Sequence, residues 1–209
     1  MTKKIFAALL AVSLIFILCA CSDGGKIIAP EGEAVAGFSS GNKAVDYSFT
    51  YPDSWELAEN DGVVLIRKDV NDSDMIAEYA SVNVLTFGLA DTNLGARDYW
   101  KQYKEDLAKT FNDFEMIGAE TSGAPESVDE NGVSETPEAT NEGEEITLGG
   151  VAALKVRYSA RITEKTYIYE QVVCCRYGNV YILTLTASND DYESVRDAFA
   201  KVITSFVFE

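Results

Sequence analysis

Val45-Asp46-Tyr47-Ser48-Phe49-Thr50-Tyr51-Pro52-Asp53-Ser54-Trp55 is the stretch from which the fold is read. From 45 to 51 the odd positions are apolar and the even ones polar. A period of two is the signature of a half-buried strand. Pro52-Asp53-Ser54 then turns the chain, because proline fixes φ and removes a ladder donor. The turn seats Trp55 against the sheet that the strand begins.

Downstream, 63–67 and 81–87 read as further strands. Residues 94–111 read as a helix, with Tyr99, Tyr103, Leu107 and Phe111 on one stripe and Trp100 beside it. Phe114 to Ile117 is a short strand. Composition then changes. Between Glu120 and Glu145 there are nine acids, two prolines and no Lys or Arg, so little is available to bury. The expectation is a disordered acidic insertion at about 120–145. After Gly149-Gly150, residues 152–162 alternate apolar and polar, 166–176 form a second strand, and Gly178-Asn179 offers a tight hairpin turn into 180–187. That third strand is apolar on both faces, as a covered central strand requires. Ser188-x-x-Asp191 resembles a capping box ahead of a last helix with Tyr192, Val195, Phe199, Val202 and Phe206 on one stripe.

Upstream, Lys3 and Lys4 precede an apolar run from Ile5 to Ala20 broken only by Ser13. The run is shorter than the ~20 residues of a spanning helix. Basic start, short apolar run and small residue before a break make a secretory signal peptide over 1–20. Leu18-Cys19-Ala20-Cys21 resembles a lipobox, the cleavage motif of bacterial lipoproteins. That resemblance implies a diacylglyceryl group on the Cys21 thiol and Cys21 as the new N-terminus. Two acyl chains hold a protein to a membrane stably where one does not. The expected location is therefore the extracytoplasmic face of the cell membrane, anchored rather than spanning. Loss of 1–20 removes two lysines and no acid and leaves a formal charge of −19. Residues 21–44, with five glycines, read as a flexible tether of roughly 25–30 Å.

Taken together, the 47–55 opening, the strand around Ala80-Ser81-Val82-Asn83-Val84, the helix, Leu148-Gly149-Gly150-Val151-Ala152-Ala153, the long hairpin and the last helix ending Ser205-Phe206 resemble the PsbP-like domain family. The resemblance spans about 45–209, interrupted by the acidic segment. It implies an α+β domain, an antiparallel sheet sandwiched by helices. Members include extrinsic photosystem II subunits, a Ran-binding nuclear-transport relative and bacterial lipoproteins. They share a scaffold rather than a reaction, so the resemblance implies no activity.

The totals narrow the chemistry. Of 209 residues, 47% are hydrophobic and 24% charged, enough for one core. The formal charge of −17 repels nucleic acid and anionic headgroups. With no histidine, the commonest general base and metal ligand are missing. Gly37-Phe38-Ser39-Ser40-Gly41 matches a hydrolase G-x-S-x-G pattern but has no histidine to activate the serine, so it reads as linker. Cys174 and Cys175 are neighbours on a strand. A vicinal disulfide there would be strained, and one buried and one more exposed thiol is the alternative. Asp69 to Asp74 is acid-rich but lacks the glycine and the glutamate of a calcium loop, and reads as a solvated connection. Lys155, Arg157 and Arg161 share one strand face and form a candidate anion-binding face.

These observations point to a non-enzymatic protein-binding or scaffolding module, held at the membrane by lipid on Cys21 and engaging an envelope protein. No cofactor, metal or nucleic acid is expected. The other readings are a binder of small anionic ligands using Lys155, Arg157 and Arg161, and an enzyme working without histidine.

Overall fold

A computed structural model describes residues 29–60, 63–69, 79–118 and 143–209. Cys21 and the signal segment lie outside the described residues. So do residues 70–78 of the acid-rich connection and 119–142 of the acidic segment.

The elements run β1 (Glu33–Phe38), β2 (Tyr47–Pro52), β3 (Glu56–Asn60), β4 (Val63–Asp69), β5 (Tyr79–Gly88), α1 (Ala96–Thr110), β6 (Asn112–Ile117), β7 (Glu144–Leu148), β8 (Val151–Ile162), β9 (Lys165–Arg176), β10 (Asn179–Ser188), α2 (Tyr192–Ser205) and β11 (Val207–Phe208). The main sheet has the order β3-β4-β5-β10-β9-β8-β6, with β7 also on β8. Every pairing is antiparallel. β10 lies inside the sheet and is buried on both faces, as the apolar side chains on both sides of Val180 to Leu185 require.

Alternation along the central strands sorts side chains to two cores. One face carries Val64, Ile66, Val82, Val84, Val172, Cys174, Tyr181, Leu183 and Leu185, packed under Val195, Phe199 and Val202 of α2 and under Tyr47, Phe49 and Phe206. The other carries Leu154, Val156, Tyr158, Tyr169, Val173 and Ile182 beneath Trp100 and Leu107 of α1. The sheet is thus not sandwiched by helices alone. α1 covers one face. The other is closed by α2 together with a three-stranded sheet, β1-β2-β11.

That small sheet corrects the tether. Glu33–Phe38 is a strand paired with β2 from Glu33↔Pro52 to Phe38↔Tyr47, so only residues up to about 32 precede the domain. Ala34 and Ala36 turn inward against the core, and an alternation of such small residues beside glycines is easily read as linker. The G-x-S-x-G stretch therefore begins inside β1, and Ser40 donates to Asp46 Oδ1 at 2.7 Å rather than forming a nucleophile elbow.

The acidic segment also ends sooner than its composition suggests. Glu144 and Glu145 belong to β7, paired with Lys155 and Leu154. Ile117 of β6 faces Arg157 and Glu144 of β7 faces Lys155. β6 and β7 are therefore two halves of one edge line along β8, parted by the intervening residues. Gly149 and Gly150, at φ 53° and 79°, close the β7–β8 hairpin in a conformation that glycine adopts freely.

The β9–β10 turn is Tyr177-Gly178, since Arg176 pairs with Asn179; the turn sits one residue before the expected Gly178-Asn179. Gly178 has φ 73°, and a Cβ there would meet Thr92 Cγ2 at 2.9 Å. Ser188 and Asp191 do bond to each other, but the helix starts after Asp191, and Phe206 caps its end instead of lying within it. β3 and β11 were not anticipated by the patterning.

Candidate functional site

At the end of the main sheet where the β9–β10 turn lies, a cleft of about 700 Å³ opens between the 92–95 loop, the start of α1, β7 and the turn. Its shape is set locally. Leu89 N donates to Gly178 O at 2.7 Å, which ties the loop after β5 to the turn. The Gly149-Gly150 hairpin brings β7 alongside. Arg97 Nη2 on α1 reaches Glu145 Oε1 on β7 at 2.8 Å across the mouth. Leu94, Ile146, Val151 and Leu154 give the lining its apolar part.

Arg176 and Tyr177 stand on the same lining. The Arg176 guanidinium carbon lies 4.5 Å from the Tyr177 ring centroid and 4.6 Å from that of Phe208. Arg176 Nη1 also donates to Lys43 O at 3.2 Å. Tyr177 is 76% exposed and has φ 50°. A bulky side chain in left-handed backbone is uncommon, and the first position of a type I′ turn ordinarily holds Asn, Asp or Gly. The sequence could signal the turn, through Gly178, but not this placement. The Arg176 stack depends on Phe208 at the far end of the chain.

The candidate anion face is assembled as expected on one side of β8, but its cations are engaged internally. Lys155 Nζ lies 2.8 Å from Glu144 and 3.9 Å from Glu170. Arg161 Nε lies 2.6 Å from Asp113. Arg157 donates to Gly118 O at 3.1 Å and sits 5.7 Å from the Tyr192 ring centroid. Tyr192 in turn donates to Glu170. Burial pushes the Tyr192 hydroxyl up to about 12, and the adjoining Glu170 pushes in the same direction. The group thus clamps both ends of the acidic segment, at Gly118 and Glu144.

Cys174 is buried and Cys175 half-buried, and both are free thiols. Desolvation pushes Cys174 up to about 12 and Cys175 up to about 11. Both therefore stay protonated near neutral pH, and the thiol is the weak form for nucleophilic attack and metal ligation. Among the described residues, no cluster of three or more Cys, Asp or Glu is arranged around a metal position. Among them, no helix is long and apolar enough to cross a membrane.

Residues 37–208 match the PsbP family. The chain belongs to the PsbP family. No curated protein sequence matches it. Among solved structures it is similar to the cyanobacterial PsbP of Synechocystis (CyanoP), at 18% identity and a TM-score of 0.50, over 90% of this chain and 98% of that one. It is similar to LpqN of Mycobacterium tuberculosis, described as involved in cell envelope biogenesis, at 17% identity and a TM-score of 0.50, over 84% and 90% of the two chains. At such identities the likeness concerns the fold: antiparallel sheets with two helices.

Proposed function

We propose that this PsbP-family chain is a lipoprotein, held by lipid on Cys21 at the extracytoplasmic face of the cell membrane, and that it acts without catalysis by binding an envelope protein. The observation that carries the reading is the cleft at the β9–β10 end, open and partly apolar, with an exposed aromatic on its rim. Such a rimmed apolar opening suits recognition. The lack of histidine and the raised thiols favour binding over chemistry. LpqN, of similar fold, is described as acting in envelope biogenesis, and this chain's place there is part of the proposal.

The direction of the chain fits. β1 starts at Glu33, beside Pro52, and runs to Phe38, beside Tyr47. The loop that follows meets Arg176 through Lys43 and Tyr181 through Ala44. The cleft thus lies toward the end of β1 opposite the anchor side. Cys21 and Glu33 are twelve residues apart, which limits the reach to about 40 Å. A partner would be met away from the bilayer. The small-anion reading gains no support, because Lys155 and Arg161 already hold carboxylates.

A photo-crosslinking residue at Asn93, on the cleft, tests this in intact cells against one at Lys68, on β4. The expected result is a discrete protein adduct from Asn93 and none from Lys68. Equal labelling from both positions, or none from either, would remove the proposal. Globomycin, which blocks lipoprotein signal cleavage, should leave a longer form; unchanged mobility would remove the lipid anchor.

A further inference from the structure

Tyr177 departs from its turn's preference in a way that costs stability, and that makes it informative. A non-glycine residue held in left-handed backbone is strained and persists where its surroundings impose it. Here the ring is mostly in water, so burial of the ring does not offset the strain. What the ring does is cover one side of Arg176, while Phe208 contacts the same guanidinium. Stacking uses the faces of a guanidinium and leaves in-plane N–H donors at its edge. One of these goes to Lys43 O and another is directed to the Tyr181 hydroxyl, which leaves the rest of the edge for a ligand. Among the described residues Arg176 has no ion-pair carboxylate, although the chain carries 34 acids.

We infer that the Arg176–Tyr177 tip is the anchor for an extended segment of the partner protein, which sets one carboxylate on Arg176 and an apolar or aromatic side chain in the adjoining cleft. This rests on the protein-binding reading above and names the partner's chemistry. The formal charge of −17 disfavours a polyacidic segment, and a second copy of this chain is repelled for the same reason. A lone carboxylate next to apolar residues avoids that repulsion and meets both halves of the tip. Arg–carboxylate pairing supplies the directional contact, and the ring and the lining supply the apolar one.

A random twelve-residue peptide library panned on the detergent-solubilised full chain tests the inference. Enriched peptides should share an Asp or Glu beside an aromatic or aliphatic residue. For the best of them, Arg176→Gln should weaken binding about tenfold, and the matching Asp→Asn or Glu→Gln change in the peptide should do the same. Arg176→Lys, which keeps charge but loses the planar fork, should recover only part. Tyr177→Asn should weaken binding about fivefold while leaving the melting temperature unchanged or higher, which separates recognition from folding. Enriched peptides without a carboxylate, no enrichment, or equal binding to Arg176→Gln would each overturn the inference. Adducts from Asn93 that persist unchanged in Arg176→Gln would overturn it alone and leave the protein-binding reading standing.

Discussion

The two faces of the main sheet solve one problem with different materials. The α2 face is closed by segments from both ends of the chain. Tyr47 and Phe206 stack at 5.1 Å, Phe206 meets Phe208 edge-on at 5.1 Å, and Tyr181 gives its hydroxyl proton to Ala44 O at 2.6 Å. The α1 face is closed by one helix, which packs across β6, β8 and β9. Its rings also pack, with Tyr158 on Tyr169 at 4.9 Å and Trp100 on Tyr158 at 6.0 Å. Trp100 Nε1 and Tyr169 Oη are buried there without a hydrogen-bond partner, as is Thr86 Oγ1 opposite Tyr181 on the other face. An unmet buried donor costs about 1–3 kcal/mol. The difference teaches that one face is assembled from several separate segments while the other depends on a single helix, with the cleft opening beside the start of that helix.

The largest effect should come from emptying the α2 face. Phe199→Ala, at a fully buried ring, is expected to cost about 3–5 kcal/mol in urea unfolding. Leu107→Ala on the α1 face should cost about 2 kcal/mol, near the lower end for such a truncation. Equal losses at the two sites would erase the contrast.

The thiols probe the same two faces from neighbouring residues. Cys174 points to the α2 core and Cys175 toward α1. Iodoacetamide at pH 8 should modify Cys175 at least about tenfold faster, with Cys174 reacting only as fast as the protein opens. The raised thiols also fix a sign. A folded pKa above the unfolded one stabilises fully below the unfolded value and is lost as pH rises through the folded one. Stability should therefore hold up to about pH 9 and decline through pH 11–12. A midpoint unchanged at pH 11 would contradict the burial of these groups.

Removing residues 119–142 and joining Gly118 to Gly143 should change stability by no more than about 1 kcal/mol, because loop closure depends weakly on length. A loss of several kcal/mol would mean that the segment packs on one of the faces. The smallest effect is expected at the cleft mouth. A double-mutant cycle on Arg97 and Glu145 should give at most about 0.5 kcal/mol, since Glu145 is largely exposed.

Where pattern and burial coincide, the sequence was readable. The alternation of Tyr47 to Tyr51, the apolar run of β10 and the stripe of Val195, Phe199 and Val202 each translate into a buried face through one periodicity. What escaped depends on pairing at a distance. β1 turns inward two alanines and a single Phe38, β11 is two residues long, and Glu145 looks like the tail of an acidic run until Leu154 is set beside it. The candidate site was harder still. Lys155, Arg157 and Arg161 share a face as their spacing requires, but their counter-charges come from β7, β9 and β6. Arg176 has no local signal, because its ring contact with Phe208 exists only once the C-terminus has folded back.

The parted edge line of β6 and β7 has a practical side. Ile117 and Glu144 sit opposite Arg157 and Lys155, two residues apart along β8. Chain leaves and re-enters the domain there with its exit and entry points almost adjacent, which is the geometry a splice junction needs. A fluorescent domain or a small binding domain with neighbouring termini, grafted between Gly118 and Gly143, would be displayed from the middle of the sheet edge while the ladder on either side stays intact. The domain thus offers a ready socket for cargo.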